Sequence, residues 1–196
     1  MCPDCEGKIS FKKSFIVLGV VALGLWGLKS YADENMDHSK MNHGKMDHKK
    51  MSKEVRRSIG DATKAYLVNA LEANEKLHQS FFEYDGKKVE ENALNLQKAI
   101  DGIKDKEISK LLSYSKNKLS EIKATIDREV NNKNYNLVSM ALIHVVSKYD
   151  VGNDYNAYSC PMVKMKWIQN TSKVSEVHNP YAPNMPNCGS QDSNYK

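Results

Sequence analysis

From Ser52 onward the apolar positions of this chain recur three and four residues apart, the spacing that gathers them into one stripe along an α-helix. Val55, Ile59, Ala62, Tyr66, Ala70, Ala73, Leu77 and Phe81 form a first stripe running to the Asp85-Gly86 break. Val89, Ala93, Leu96, Ile100 and Ile103 form a second, and Ile108, Leu111, Ser115, Leu119, Ile122, Ile126 and Val130 a third. A polar break from Asn131 to Asn134 precedes a fourth segment, Tyr135 to Tyr149, that is apolar on most sides. No segment alternates with period two over a useful length. Three amphipathic helices and a more buried fourth, joined by short connections, predict an all-α fold, an antiparallel four-helix bundle over residues 52–152. A bundle of about 100 residues buries its own core, so a metal would serve function and not folding. After Gly152 the periodicity is lost, and residues 153–196 are expected to form an irregular Cys/Met/Trp segment packed on the bundle.

The N-terminal part obeys a different rule. Lys8, Lys12 and Lys13 precede a 14-residue apolar run from Phe15 to Leu28, after which come Ser30-Tyr31-Ala32 and the acidic pair Asp33-Glu34. A basic region, a short apolar region and small residues at the last and third-last positions predict an export signal over residues 1–32, cut after Ala32. The run is short of the ~20 residues that span a bilayer. An uncleaved anchor, the one route by which the chain would meet a membrane, leaves residues 33–196 in the same compartment. The expected location is periplasmic. Cys2-Pro3-Asp4-Cys5 lacks the strand-to-helix setting of a redox pair and the second pair of a zinc ribbon, and no role is assigned to it.

Charged residues make up 27% of the chain and the mean hydropathy is -0.62, which excludes a multi-span membrane protein. The net charge of +5 is spread along the sequence. With no basic run interleaved with aromatics, nucleic acid is not an expected partner.

Composition changes the picture at residues 33–51. Met36 to Met51 reads MDHSKMNHGKMDHKKM, a five-residue unit that pairs Met36 with His38, Met41 with His43 and Met46 with His48 before a fourth thioether at Met51. Asp, Asn, Ser, Gly and Lys fill the gaps, leaving no apolar face to bury, so the tract is expected to be disordered. A thioether is a soft, uncharged donor suited to Cu(I) or Ag(I), while imidazole also takes Cu(II), Zn(II) and Ni(II). Interleaving the two favours copper in either redox state. A bland low-complexity spacer is the competing reading, but it does not account for two donor types in strict repeat.

The C-terminal segment carries a second group of sulfurs: Cys160, Met162, Met165, Met185 and Cys188. In an oxidising compartment Cys160 and Cys188 can pair, closing a loop that would stabilise by roughly 3–4 kcal/mol in the chain-entropy view. Alternatively the two thiolates, with Met162, Met165 or Met185 beside them, form a soft cluster for Cu(I), covered by Trp167 through a cation–π contact. His178 either joins that cluster or leads into the Asn179-Pro180 turn. His78 and His144, each isolated on an apolar helix, read as core or rim groups, as do Tyr66, Tyr114 and Tyr149.

A Cys-Pro-Met at Cys160, the Trp167-Ile168 pair, Asn179-Pro180-Tyr181, and Met185 with Cys188-Gly189 three residues on carry a resemblance. Over roughly Ser52 to Ser190 the chain resembles the helical-bundle domain of unknown function found as a stand-alone exported protein or fused to CusB-type adaptors of heavy-metal efflux pumps. It departs from that pattern between Val163 and Lys166, where Met165 adds a thioether. The Met/His tract resembles the repeats of Pco/Cop-type copper-resistance proteins. These resemblances imply copper handling in the periplasm.

The leading expectation is a periplasmic Cu(I)/Ag(I)-binding protein for sequestration, resistance or delivery to an efflux system or cuproprotein, its metal ligands being Met36, His38, Met41, His43, Met46, His48, Met51, Cys160, Met162, Met165, Met185 and Cys188. The alternative is a metal-independent interaction module that docks on a heavy-metal efflux adaptor or transporter. An enzyme is not expected: no Ser/His/Asp order, phosphate loop or CxxC on an exported fold is present.

Overall fold

The computed structural model describes residues 55–195. The predicted leader and Met36, His38, Met41, His43, Met46, His48 and Met51 lie outside the described residues. Within them run five helices, α1 (Asp61–Ser80), α2 (Gly86–Asp101), α3 (Lys106–Leu111), α4 (Ser113–Ser120) and α5 (Arg128–Lys148), and three strands, β1 (Tyr155–Cys160), β2 (Met165–Asn170) and β3 (Ser190–Gln191).

The stripes place α1 and α2. Leu67, Ala70, Leu71 and Leu77 of α1 are buried together with Val89, Ala93, Leu96 and Ile100 of α2, and the two helices pack on each other. Asp85 caps α2 by accepting from the backbone N–H groups of Lys87 and Lys88 at 2.9 and 3.4 Å, satisfying donors that the first turn leaves free. Tyr66, at the edge of the first stripe, is 44% exposed, as is much of Tyr114, whereas Tyr149 is buried.

Two helix boundaries differ from the sequence pattern. The third stripe is broken at Leu112 into α3 and α4. The Asn-rich break is not a break, because α5 begins at Arg128 and carries Asn131, Asn132 and Asn134 inside the fold. Asn131 donates to the Lys123 and Ile126 carbonyls and the Tyr84 hydroxyl, and accepts from the Lys123 N–H. The side chain satisfies the turn between α4 and α5, which is why a polar residue is buried there.

The all-α expectation is overturned. The C-terminal segment forms a three-stranded antiparallel sheet in the order β2-β1-β3, so the fold is mixed α/β and not a four-helix bundle with an irregular tail. The strands do not show as period-two patterns because they are covered on both sides. Five of six residues are buried in β1, and the last four of β2 are buried too, with Asn156, Gln169 and Asn170 among them. Burial on both faces removes the alternation that marks a half-exposed strand.

Helix α5 carries this sheet, packing on β1 and β2. Glu75 of α1 ties the far end by accepting from Tyr155 and Asn170 and pairing with Lys173 at 2.7 Å. Just before β1, Arg57 bridges to Tyr149, and Arg56 bonds the Gly152 carbonyl at 2.7 Å while lying over the Tyr195 ring. None of the described helices is long and apolar enough to cross a membrane.

Candidate metal centre

The β1–β2 hairpin sets the site. Its register pairs Cys160 with Met165 and Tyr158 with Trp167. Alternation puts these four side chains on one face, with Cys160 and Met165 directly opposite and their Cβ atoms about 5 Å apart. Residues 161–164 make the connecting turn, closed by the Lys164 N–H donating to the Cys160 carbonyl at 2.9 Å. Lys164 adopts a positive φ of 54° to make that tight turn.

Cys188 arrives from the C-terminal segment, fastened by Asn179. This fully buried side chain donates to the Cys188 carbonyl at 2.8 Å and accepts from the Tyr181 N–H at 2.9 Å, while its own N–H reaches the Pro186 carbonyl at 2.7 Å. Tyr181 continues inward, donating its hydroxyl to the Lys166 carbonyl at 2.9 Å. Gly189 completes the approach with φ at 141°, where a Cβ would meet the Ser159 carbonyl oxygen at 2.7 Å and the Trp167 ring at 2.8 Å. Only glycine fits so close a crossing. The Asn-Pro-Tyr and Cys-Gly motifs are thus a clasp that presses one cysteine against the other.

The result is a pair of free thiols, Cys160 buried and Cys188 part-exposed, with sulfurs 2.6 Å apart. Burial pushes the Cys160 thiol up, but the contact with Cys188 and the nearby N–H groups of Val163, Met162 and Asn179 outweigh it and hold its pKa below the ordinary thiol value. Cys188 moves up, chiefly through its sulfur–sulfur contact with Cys160, with burial and the neighbouring charge adding to it. Of the two thiols, Cys160 is the one whose surroundings favour loss of its proton. N–H groups near a sulfur favour its thiolate, the form that ligates metal or attacks a disulfide.

Of the predicted ligands, Cys160, Cys188 and Met165 come together. Met162, on the hairpin turn, is 66% exposed, and Met185, whose carbonyl accepts from the Cys188 N–H at 3.0 Å, is 43% exposed. Both flank the pair. Trp167, expected to cover an ion, is wholly buried beneath Gly189, stacked on Tyr158 at 5.8 Å and donating its indole N–H to Gln169. It packs the clasp.

His144 lies exposed on α5 beside Val55 and Arg57. Spacing alone does not pair His78 with His178, yet their ring centroids stand 5.4 Å apart at the seam between α1 and the C-terminal segment. His178 stacks on Phe82 at 3.5 Å and 6°. His78 is 6% exposed, and neither ring nitrogen makes a well-aligned hydrogen bond, although the His178 backbone lies against the ring. Burial, with the nearby His178 charge, drives its pKa down to about 3, and burial lowers that of His178 too. Burial keeps the His78 ring neutral near pH 7 and favours the neutral form of His178. The sequence holds only a weak signal for this pair, a histidine directly before Asn179. Among the described residues no three His, Cys, Asp or Glu side chains converge as a ligand set.

The chain matches no protein-family model, no curated protein and no solved structure.

Proposed function

We propose that this is an exported protein that binds Cu(I), with Ag(I) as its chemical analogue, and holds or passes the ion in the periplasm for resistance or delivery to an efflux system. The observation that carries the reading is the clasped pair of Cys160 and Cys188 with Met165 across the hairpin. Two thiols, one with a lowered pKa, and a thioether are the donor types that select a soft monovalent ion over harder ones. The Met36 to Met51 repeat supplies the same preference from sequence, with donors that need lose no proton to bind. On this reading the repeat collects ions and the clasp keeps one. The resemblance to the domain fused to heavy-metal efflux adaptors supports the same direction. The protein acts by holding its cargo, without catalysis.

The pair has a competing fate, since two sulfurs this close can also be oxidised to a disulfide. Anaerobic Cu(I) titration of the reduced chain tests the proposal. Deleting Met36 to Met51 is expected to remove most of the bound copper, and Cys160→Ser with Cys188→Ser the tightest remaining ion. Unchanged stoichiometry after both changes would overturn it. A thiol count without reductant separates the fates: no free thiol together with unaltered copper binding removes the cysteines from the site.

A further inference from the structure

We infer that Cys160 and Cys188 form a reversible thiol–disulfide switch that exchanges with small aliphatic thiols and disulfides through the Cys188 sulfur. The exchange needs the pair alone, and its consequence for an ion rests on the function proposed above.

Access separates the two sulfurs. Cys160 is 1% exposed at the end of β1, whereas Cys188 is part-exposed and comes directly after residues 183–187, all of them exposed. A partner in solution therefore meets Cys188. Acidity points the other way, since the Cys188 pKa is raised and that of Cys160 lowered. That handicap is partly offset, because a more basic thiolate is also the stronger nucleophile. A buried sulfur has no such compensation, so access decides.

The two sulfurs are also held in contact, 2.6 Å apart. Asn179 fastens the Cys188 carbonyl, the Met185 carbonyl takes the Cys188 N–H, and the Cys160 carbonyl is tied into the hairpin turn by Lys164. Joining them needs little rearrangement, the setting in which an intramolecular step outruns its bimolecular equivalent.

Oxidation runs in two displacements. Cys188 gives its proton to solvent and attacks one sulfur of a small disulfide, RSSR. The Cys188–SR bond forms, the S–S bond of RSSR breaks, and RS− leaves and takes up a proton. Cys160 then loses its proton and attacks the Cys188 sulfur, forming the Cys160–Cys188 bond and expelling the second RS−, which is protonated by solvent. Two thiols are oxidised by two electrons, and one RSSR is reduced to two RSH. Reduction retraces the route, with an external thiolate entering at Cys188 and Cys160 leaving. Because the thiolate is the metal ligand, the reduced clasp holds Cu(I) or Ag(I) and the oxidised clasp releases it, the ion keeping its own oxidation state. An ion seated on the pair in turn covers the sulfur where exchange begins, so binding and oxidation oppose one another.

The test exposes the reduced full chain to oxidised glutathione in the absence of air. Peptide mass spectrometry maps each cysteine, keeping Cys2 and Cys5 apart from the clasp, and circular dichroism checks that variants fold. Wild type is expected to form the Cys160–Cys188 disulfide through a short-lived glutathione adduct on Cys188. Cys160→Ser should stop at that adduct, while in Cys188→Ser the remaining thiol should react more slowly by about tenfold or more. A first adduct on Cys160 in the wild type, equal reaction of the two serine variants, or no reaction at Cys188 overturns the inference and leaves the copper reading in place. Where a variant fails to fold, the wild-type map decides. Saturating Ag(I) should slow the exchange, and the oxidised chain should hold one Ag(I) fewer than the reduced chain. Exchange that follows this course while Ag(I) neither slows it nor distinguishes the two states leaves the switch standing and sinks the clasp as an ion site.

Discussion

The helical body and the C-terminal sheet share one apolar core but differ in how much polar hydrogen bonding fixes their side chains. Helices α1, α2, α4 and α5 meet through Leu67, Leu77, Val89, Leu96, Leu119, Val138 and Leu142, all fully or almost fully buried. The sheet is stitched by polar side chains: Asn179 to Cys188 and Tyr181, Gln169 to Trp167, Val174 and Glu176, Asn156 to Thr171 and Tyr195. Apolar burial is non-directional and forgiving in position, whereas hydrogen bonds fix atoms in place. A body that only has to fold can use the first. A site that must keep Cys188 against Cys160 needs the second.

The sharpest way to break the contrast is to empty the apolar side. Leu96→Ala should cost about 2–5 kcal/mol and lower the unfolding midpoint of helix and sheet together, read by circular dichroism and by Trp167 fluorescence in urea. If the sheet signal held while the helices melted, the two regions would be independent.

Acid probes the seam between them. Burial lowers the folded-state pKa of His78 from the usual 6.5 to about 3, so between those values the unfolded chain binds a proton that the folded chain does not. Its stabilising contribution is complete above about pH 6.5 and is lost toward pH 3, by about 1.4 kcal/mol per pH unit within the window. Urea unfolding from pH 7 to pH 4.5 should therefore show about 2–3 kcal/mol of loss from this group, and His78→Phe should flatten that slope.

On the polar side, Gly189→Ala places a Cβ against Ser159 and Trp167 at a φ of 141°, at a cost of about 1–3 kcal/mol. The effect should be local: Cys188 becomes reactive to thiol reagents while the helical signal is kept. Asn179→Ala leaves the Cys188 carbonyl and the Tyr181 N–H without that partner, for about 1–2 kcal/mol, and should raise the ordinarily low-lying Cys160 pKa in a pH-resolved alkylation assay.

The same contrast explains what was legible in the sequence. Leu77, Val89, Leu96, Ile108 and Leu119 recur at helical spacing because one face of each helix is buried, and that part of the fold could be read directly. Asn131 misled because its amide serves the turn before α5 from inside the helix. Tyr155 to Cys160 and Met165 to Asn170 hid their strands because helices cover one face and the C-terminal segment the other. In the candidate site, Cys160 and Cys188 were visible from residue type, and Met165 proved to be the cross-strand partner. The clasp role of Asn179 and the meeting of His78 with His178 were not legible, since both depend on contacts across about 10 and 100 residues of chain that spacing alone does not encode.

A clasp that works as a soft-ion site is the central claim. Its most direct measurement is competition of Cu(I) or Ag(I) against Zn(II) for the reduced chain, wild type beside Cys160→Ser and Cys188→Ser, each with the Met36 to Met51 repeat removed. The monovalent ions are predicted to displace Zn(II) from the wild-type clasp, and the serine variants to lose the preference. Equal binding of Zn(II), or a preference untouched by loss of both sulfurs, would contradict it.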